Sequence, residues 1–99
     1  MTAKGYWIAH VDVRDAERYQ DYIKANAVAF KKYNARFLVR GGAAVVAKGG
    51  GTTRRHVVLE FDSFALAKAC HDSPEYQAAA KIRDEASEVE LIIVEGYGG

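Results

Sequence analysis

Residues 89–94 read VELIIV and predict a β-strand near the end of the chain. Side chains alternate between the two faces of a strand, so Leu91 and Ile93 would point to one side and Ile92 and Val94 to the other. A strand that is apolar on both sides is buried on both faces, and one layer of helices cannot cover both. We therefore expect a second copy of the chain to pack its sheet against the side that the helices leave open.

Three further segments predict the other strands of this sheet. Residues 6–13 (YWIAHVDV) and 55–61 (RHVVLEF) are rich in aromatic and β-branched residues. Residues 35–40 (ARFLVR) predict a strand that Ala43–Ala47 would continue beyond a glycine pair, which is typical of a bulge or bend. The glycine-rich residues 48–52 then predict the turn of a hairpin.

Apolar spacing and capping residues predict the helices. The run from Ala16 to Tyr33 has its large apolar residues at helical spacing, with Asp15 as N-cap. A short helix would follow Asp62 or Ser63 and end near His71. Ser73-Pro74-Glu75 is typical of a helix start, and this last helix would end near Ala86.

The order of these elements is the split βαβ pattern of α+β, ferredoxin-like folds. We expect one domain over residues 1–99, a βαββαβ protomer with a four-stranded antiparallel sheet and helices on one face. Two such sheets would face each other in a homodimeric α/β barrel.

Composition argues against several classes of partner. The chain has 99 residues, and 14 Lys and Arg against 13 Asp and Glu give a formal net charge of +1. That balance disfavours nucleic acid and anionic membranes as partners, and no apolar run approaches the about 20 residues of a membrane helix. The single cysteine, Cys70, cannot form an internal disulfide, and the N-terminus lacks the pattern of a signal peptide. We therefore expect a cytoplasmic protein.

Five stretches resemble the domain of unknown function 1330 family, within the dimeric α/β-barrel superfamily. They are GYWIA at 5–9, ARFLVRGG at 35–42, VLEF at 58–61, SPEYQ at 73–77 and IVEGY at 93–97. The resemblance implies a ferredoxin-like protomer and a dimer whose sheets face each other, but no reaction. Superfamily members include cofactor-independent monooxygenases and haem-degrading enzymes, and also stress and structural proteins. Cys70-His71 and the three glycines at 49–51 depart from the family's usual pattern.

His10 is the candidate catalytic residue, as a general acid or base. The first and third strands are neighbours in the predicted sheet, and pairing Ile8 with Val58 places His10 opposite His56. Two adjacent imidazoles could bind a metal or transfer a proton. The alternative, which we favour, is two ordinary strand histidines, because zinc requires more protein ligands than two. We therefore expect no metal site.

Charged strand residues offer a candidate anion site. Arg36 and Arg40 could together bind a carboxylate or a phosphate. The alternative is an ion-pair network that fixes the register of the dimer, with Arg40 paired to Glu60 across the hairpin.

The cleft between sheet and helices is the candidate ligand site. Asn26 lies on the apolar face of the long helix and, if buried, requires hydrogen-bond partners. Tyr76 and Arg83 lie two turns apart on one face of the last helix, and with Tyr33 they could line the cleft. The alternative is a rim of tyrosines, Tyr22 among them, whose hydroxyls reach water.

Two functions follow from these patterns. The first is binding of a small anionic or carbonyl metabolite in the cleft, or its conversion without a tightly bound cofactor, with Arg36 or Arg83 orienting it. The second is a non-enzymatic dimeric binding or scaffold module whose charged strand residues serve only the interface. Cys70 and His71 are not a catalytic pair, because adjacent helical residues point about 100° apart.

Overall fold

The computed structural model describes residues 3–49 and 54–98, and it has the predicted order of strands and helices. The antiparallel sheet has the strand order β2-β3-β1-β4. Its strands are β1 (Gly5–Val13), β2 (Arg36–Arg40), β3 (Arg55–Phe61) and β4 (Ser87–Glu95). The helices are α1 (Ala16–Lys32), α2 (Phe64–Asp72) and α3 (Pro74–Ala86). The α+β fold with a four-stranded antiparallel sheet is confirmed.

The predicted register between β1 and β3 is also confirmed. Ile8 pairs with Val58, and His10 consequently pairs with His56. Continuing the same register, Arg54 forms an ion pair with Asp12 at 3.1 Å. The pairing follows from matching apolar positions on the two strands, since a slip of one residue would expose the buried set.

The three predicted N-caps are confirmed. Asp15 accepts a hydrogen bond from the backbone N–H of Arg18 at 3.0 Å. Ser63 begins α2, and Ser73 begins α3 by accepting from the N–H of Tyr76 at 3.2 Å. Pro74 follows at the first helical position, where a backbone N–H has no acceptor within the helix, so the missing N–H of proline costs no hydrogen bond.

The core lies between the sheet and the helices. On β1 the buried side chains are Trp7, Ala9 and Val11, and on β3 they are Val57, Leu59 and Phe61. The alternate positions of both strands form the other face of the sheet, which we call the outer face. None of the described helices is long and apolar enough to cross a membrane.

The prediction for β2 is wrong about the register of the strand and about where the strand ends. A bulge between Phe37 and Val39 shifts the register against β3, so that Arg40 pairs with Val57 on the helix side of the sheet. Glu60 is therefore bonded by Arg36 at 3.0 Å, and the predicted Arg40–Glu60 pair does not form.

The strand also ends earlier than predicted. The N–H of Gly41 donates to the carbonyl oxygen of His56 at 2.9 Å, and Gly41 then has a positive φ of 68°. Ala43–Ala47 have no strand structure, because the chain turns away from β3 at Gly41. The predicted turn at 48–52 lies largely outside the described residues.

Candidate functional site

A cavity lies between the helix side of the sheet and helices α1 and α3. Its lining combines the aromatic rings of Trp7, Phe30 and Tyr76 with the buried amide of Asn26, which is 5% exposed. The centre of a water molecule can occupy about 40 Å³ of it, whereas one water requires about 10–15 Å³. The cavity therefore has room for several waters or for a small organic molecule.

The charged part of the lining consists of three arginines. Arg40 comes from β2, Arg55 from β3 and Arg83 from α3, and among the described residues no Asp or Glu lines the cavity. Arg83 is paired with Asp84 at 2.9 Å on the outside. Within the described residues, Arg40 and Arg55 form no salt bridge. The cavity is therefore positively charged and can attract an anion.

Arg55 packs against the backbone that follows β2, beside the cavity. Its guanidinium lies over Gly41, and a Cβ at that glycine would be 2.8 Å from the Cζ of Arg55. The guanidinium carbon is also 5.8 Å from the centre of the Tyr19 ring. The Nε of Arg55 is buried and has no hydrogen-bond partner among the described residues. An unpaired buried donor of this kind is unfavourable unless a ligand or water bonds it.

Two buried tyrosines join α1 to α3 at the cavity. The hydroxyls of Tyr22 and Tyr76 are 2.8 Å apart, and Nη1 of Arg83 donates to the Tyr76 hydroxyl at 3.1 Å. Burial raises the pKa of Tyr22 well above its usual value, with Tyr76 contributing and Asn26 opposing the rise. Burial likewise raises the pKa of Tyr76, against the lowering effect of its bonds to Tyr22 and Arg83. Both phenols are therefore neutral hydrogen-bonding groups near neutral pH.

His10 and His56 lie on the outer face of the sheet, away from the cavity. Their Nδ1 atoms are 2.8 Å apart, so one nitrogen donates a hydrogen bond and the other accepts it. Arg54 donates to the backbone oxygen of His10 at 3.2 Å and forms an ion pair with Glu90 at 3.3 Å. Among the described residues, no group of three or more His, Cys, Asp or Glu is placed to hold a metal ion.

Two further candidates are also not part of the cavity lining. Arg36 lies on the outer face, bonded to Glu60 at 3.0 Å and to Asp62 at 3.1 Å. The Arg36 guanidinium and the Tyr6 hydroxyl hold the pKa of Glu60 below its usual value. Tyr33 follows the end of α1, where Lys32 lies 5.7 Å from its ring centre. Of the residues that the sequence suggested as ligand-binding, the structure brings together Asn26, Tyr76 and Arg83, and Arg40 of the suggested anion site joins them.

Cys70 is a core residue. It is fully buried, and burial raises the pKa of its thiol to about 12. The thiolate, which is the nucleophilic form, is therefore absent at neutral pH. His71 packs instead against the rings of Trp7 and Tyr76, with centres 5.7 and 5.6 Å away.

Comparison with family models covers nearly the whole chain. The model of the domain of unknown function DUF1330 matches residues 4–97. The chain belongs to this family. No curated protein matches the chain.

Solved structures similar to this DUF1330 chain share its fold. RPA0582, a protein of unknown function from Rhodopseudomonas palustris, is 19% identical with a TM-score of 0.77, over 100% of this chain and 86% of that one. SnoaB, a cofactor-independent oxygenase from Streptomyces nogalater, is 10% identical with a TM-score of 0.65, over 99% and 97% of the two chains. A dimeric ferredoxin-like protein of unknown function from Thermobifida fusca is 17% identical with a TM-score of 0.56, over 96% and 92%. At these identities the likeness establishes the ferredoxin-like fold alone.

Sequence reasoning missed Arg55 and placed Arg40 on the wrong face. The sequence of β3 could have identified Arg55. Arg55 lies two positions before Val57 and four before Leu59, so its side chain is on the same inward face of the strand. A regular β2 strand would have placed the side chain of Arg40 on the outer face. Only the bulge at Leu38 turns it toward the cavity.

Proposed function

We propose that this DUF1330 chain binds a small carboxylate in the cavity between its sheet and its helices. The observation that carries the proposal is the set of three arginines around an apolar, aromatic cavity whose described lining contains no carboxylate. Ligand sites of this kind are mostly apolar, with a few polar groups that fix orientation.

The chemistry of the arginines favours a carboxylate. A guanidinium presents its N–H groups in a planar fork that matches the two oxygens of a carboxylate. The buried, unpaired Nε of Arg55 is a donor that such an oxygen would bond. The aromatic rings of Trp7 and Phe30 would contact the organic part of the ligand.

The described lining supports binding more strongly than catalysis. It contains no imidazole, carboxylate or thiol that could act as a base near a bound ligand. His10, the candidate acid or base, lies on the outer face with its Nδ1 bonded to His56. Conversion of the ligand without a cofactor, the activity named for SnoaB, remains the enzymatic form of this proposal.

A thermal-shift screen with aliphatic and aromatic monocarboxylates of three to nine carbons tests the proposal. A ligand at one hundred times its Kd should stabilise the fold by about 2.7 kcal/mol. Arg55→Met keeps the apolar stem but removes the fork, and we expect it to raise Kd by about 10-fold to 100-fold. Arg18→Met is the matched control, because it removes the same charge from an ion pair with Asp21 and Glu85 outside the cavity. A panel without any shift, or equal Kd values for both variants, would contradict the proposal.

The second part of the proposal is a homodimer formed through the outer face. Apolar side chains on this face are exposed, with Ile92 at 57%, Val39 at 40% and Val94 at 38%. A continuous apolar surface of this kind marks an interaction site. On the outer face, Arg36 pairs with Glu60 and Arg54 pairs with Asp12. Few charged strand residues would therefore be buried without an ion-pair partner at the dimer interface. This arrangement also favours the interface role that the sequence suggested for the charged strand residues.

Ile92→Glu should convert the dimer to a monomer, because a buried unpaired carboxylate at the seam is strongly unfavourable. Sedimentation at micromolar concentration would measure twice the chain mass of 10.9 kDa for the unchanged protein and the single mass for the variant. Val28→Glu is the matched control, since Val28 is 60% exposed on α1 and lies on the helix side. A monomeric unchanged protein would refute the dimer.

A further inference from the structure

A histidine pair occupies the middle of the outer face. His10 lies on β1 and His56 on β3, the two central strands of the sheet, and the two residues pair in register. The next outward pair along these strands is Ile8 with Val58, and Ile92 of β4 pairs with Ile8 on the other side. The imidazoles therefore border the apolar surface of the proposed dimer, and a partner sheet that covers this surface covers them too.

The contact between the two rings limits how many protons the pair can hold. Their Nδ1 atoms are 2.8 Å apart, so one nitrogen donates and the other accepts. A neutral pair satisfies this contact, and so does a pair with one imidazolium, whose Nδ1–H donates to the neutral ring. A second proton places a hydrogen on both Nδ1 atoms, so the hydrogen bond is lost and two positive charges face each other.

The charged groups nearest the pair can balance one imidazolium but not two. Arg54 donates to the backbone oxygen of His10 and forms ion pairs with Asp12 of β1 and Glu90 of β4. Glu90 also pairs in register with His10. One guanidinium and two carboxylates leave one negative charge, which a single imidazolium neutralises. A second imidazolium makes the whole group positive.

The other charged strand residues of this face are already in ion pairs. Arg36 of β2 is bonded to Glu60 of β3 at 3.0 Å, and Glu88 of β4 is bonded to Arg14 at 3.0 Å. At the end of β2, Arg40 faces the cavity. A second copy of the chain would bring the same set of groups, so its own histidine pair meets the same limit.

We infer that the proposed homodimer is sensitive to pH and dissociates in mild acid, when the second imidazole of each His10–His56 pair takes up a proton. This inference rests on the proposed dimer through the outer face and names what regulates it. Imidazole is the side chain whose charge ordinarily changes between pH 5 and 8.

The free protomer and the dimer differ in how they accommodate the second proton. In the free protomer the pair is only half-buried, so an imidazolium can turn toward water. In the dimer a partner sheet about 10 Å away covers the pair, and an uncompensated buried charge is strongly unfavourable. The dimer therefore holds fewer protons than two separate protomers, and acid shifts the equilibrium toward protomers.

Sedimentation velocity over a series of concentrations, at pH values from 8 to 5.5, tests the inference on the unchanged protein. We expect the Kd of the dimer to rise by about 10-fold or more over this range, because each protomer that separates takes up a proton. Carboxylates as a class titrate near pH 4, so the range changes chiefly the charge of imidazoles. Circular dichroism at each pH reports whether the protomers stay folded.

Three results of this experiment would contradict the inference or its basis. A dimer whose Kd stays constant over the range would overturn the inference and leave the proposed dimer intact. Dissociation that occurs only together with unfolding would also overturn it. A monomer at pH 8 would refute the proposed dimer itself.

The double variant His10→Gln/His56→Gln tests whether the effect belongs to this pair. Glutamine keeps hydrogen-bonding groups at both positions but does not titrate, so we expect a dimer with the same Kd at both ends of the pH range. His71→Gln is the matched control, because His71 packs against Trp7 and Tyr76 on the helix side and should not affect the dimer. A pH dependence that persists in the double variant, or that disappears in His71→Gln, would overturn the inference.

Discussion

Trp7→Ala should lower the free energy of unfolding by about 3–5 kcal/mol, as for other buried aromatic side chains truncated to alanine. Trp7 is 1% exposed and lies on the central strand β1. Its ring contacts those of Phe30 and Phe61 with centres 5.3 Å away, and that of Tyr76 at 4.7 Å. The indole N–H donates to the carbonyl oxygen of Ala67 at 2.9 Å and thereby ties α2 to the sheet.

Chemical denaturation followed by circular dichroism measures this change, since Trp7 is the single tryptophan and its fluorescence is lost. Tyr97→Ala is the control, because it truncates an aromatic residue that is 95% exposed. Trp7→Phe should lie between the unchanged protein and Trp7→Ala. A loss below 1 kcal/mol for Trp7→Ala would show that the ring is not part of a close-packed core.

Gly5→Ala should destabilise the fold by about 1–3 kcal/mol, as a side chain forced into a filled space does. Gly5 is buried at the start of β1, paired with Phe61 on β3 and with Glu95 on β4. A Cβ there would meet the backbone carbonyl oxygen of Ser63 and would lie 2.7 Å from the Cα of Phe64. These are backbone atoms at the start of α2, so the helix itself would have to move.

Gly42→Ala is the matched control for Gly5→Ala, since no described residue other than its chain neighbours lies within 4 Å of a Cβ at Gly42. We expect that variant to change stability by at most about 1 kcal/mol, in the stabilising direction through a less flexible unfolded chain. Urea denaturation compares the two variants. Equal stability of both would mean that the contact between β1 and the start of α2 is looser than the structure indicates.

Patterns that depend on local alternation and capping could be predicted from the sequence. The apolar alternation of β1 and β3 gave the pairing of His10 with His56, because one face of each strand must be buried. Ser73 and Pro74 gave the start of α3, since cap chemistry needs only neighbouring residues. The spacing of Asn26 along α1 gave its burial for the same reason.

Features that depend on strand registry at the sheet edge could not be predicted. Among the described strands β2 is bonded on one side only, to β3, and its apolar residues do not distinguish a regular strand from a bulged one. Ala43–Ala47 suggested a continuing strand, but strand structure requires a partner, and in the described part of the chain the last bond to β3 is made at Gly41. For the cavity, spacing along one helix identified Tyr76 and Arg83, whereas Arg40 required the register of two strands.

The bulge at Leu38 decides whether Arg40 faces the cavity or the outer face of the sheet. The charge of the cavity wall therefore depends on the register of β2 as well as on which residues the strand contains. If β2 ran regularly through Leu38, Val39 would face the cavity and Arg40 the outer face. A slip of this edge strand would leave the central strands β1 and β3 in place. Two chains with identical residues at 36–40 can therefore enclose cavities of different polarity if the segments that follow hold β2 in different registers. If the cavity is the carboxylate site that we propose, its ligand preference can change with the register of this edge strand while the residues of the core stay the same.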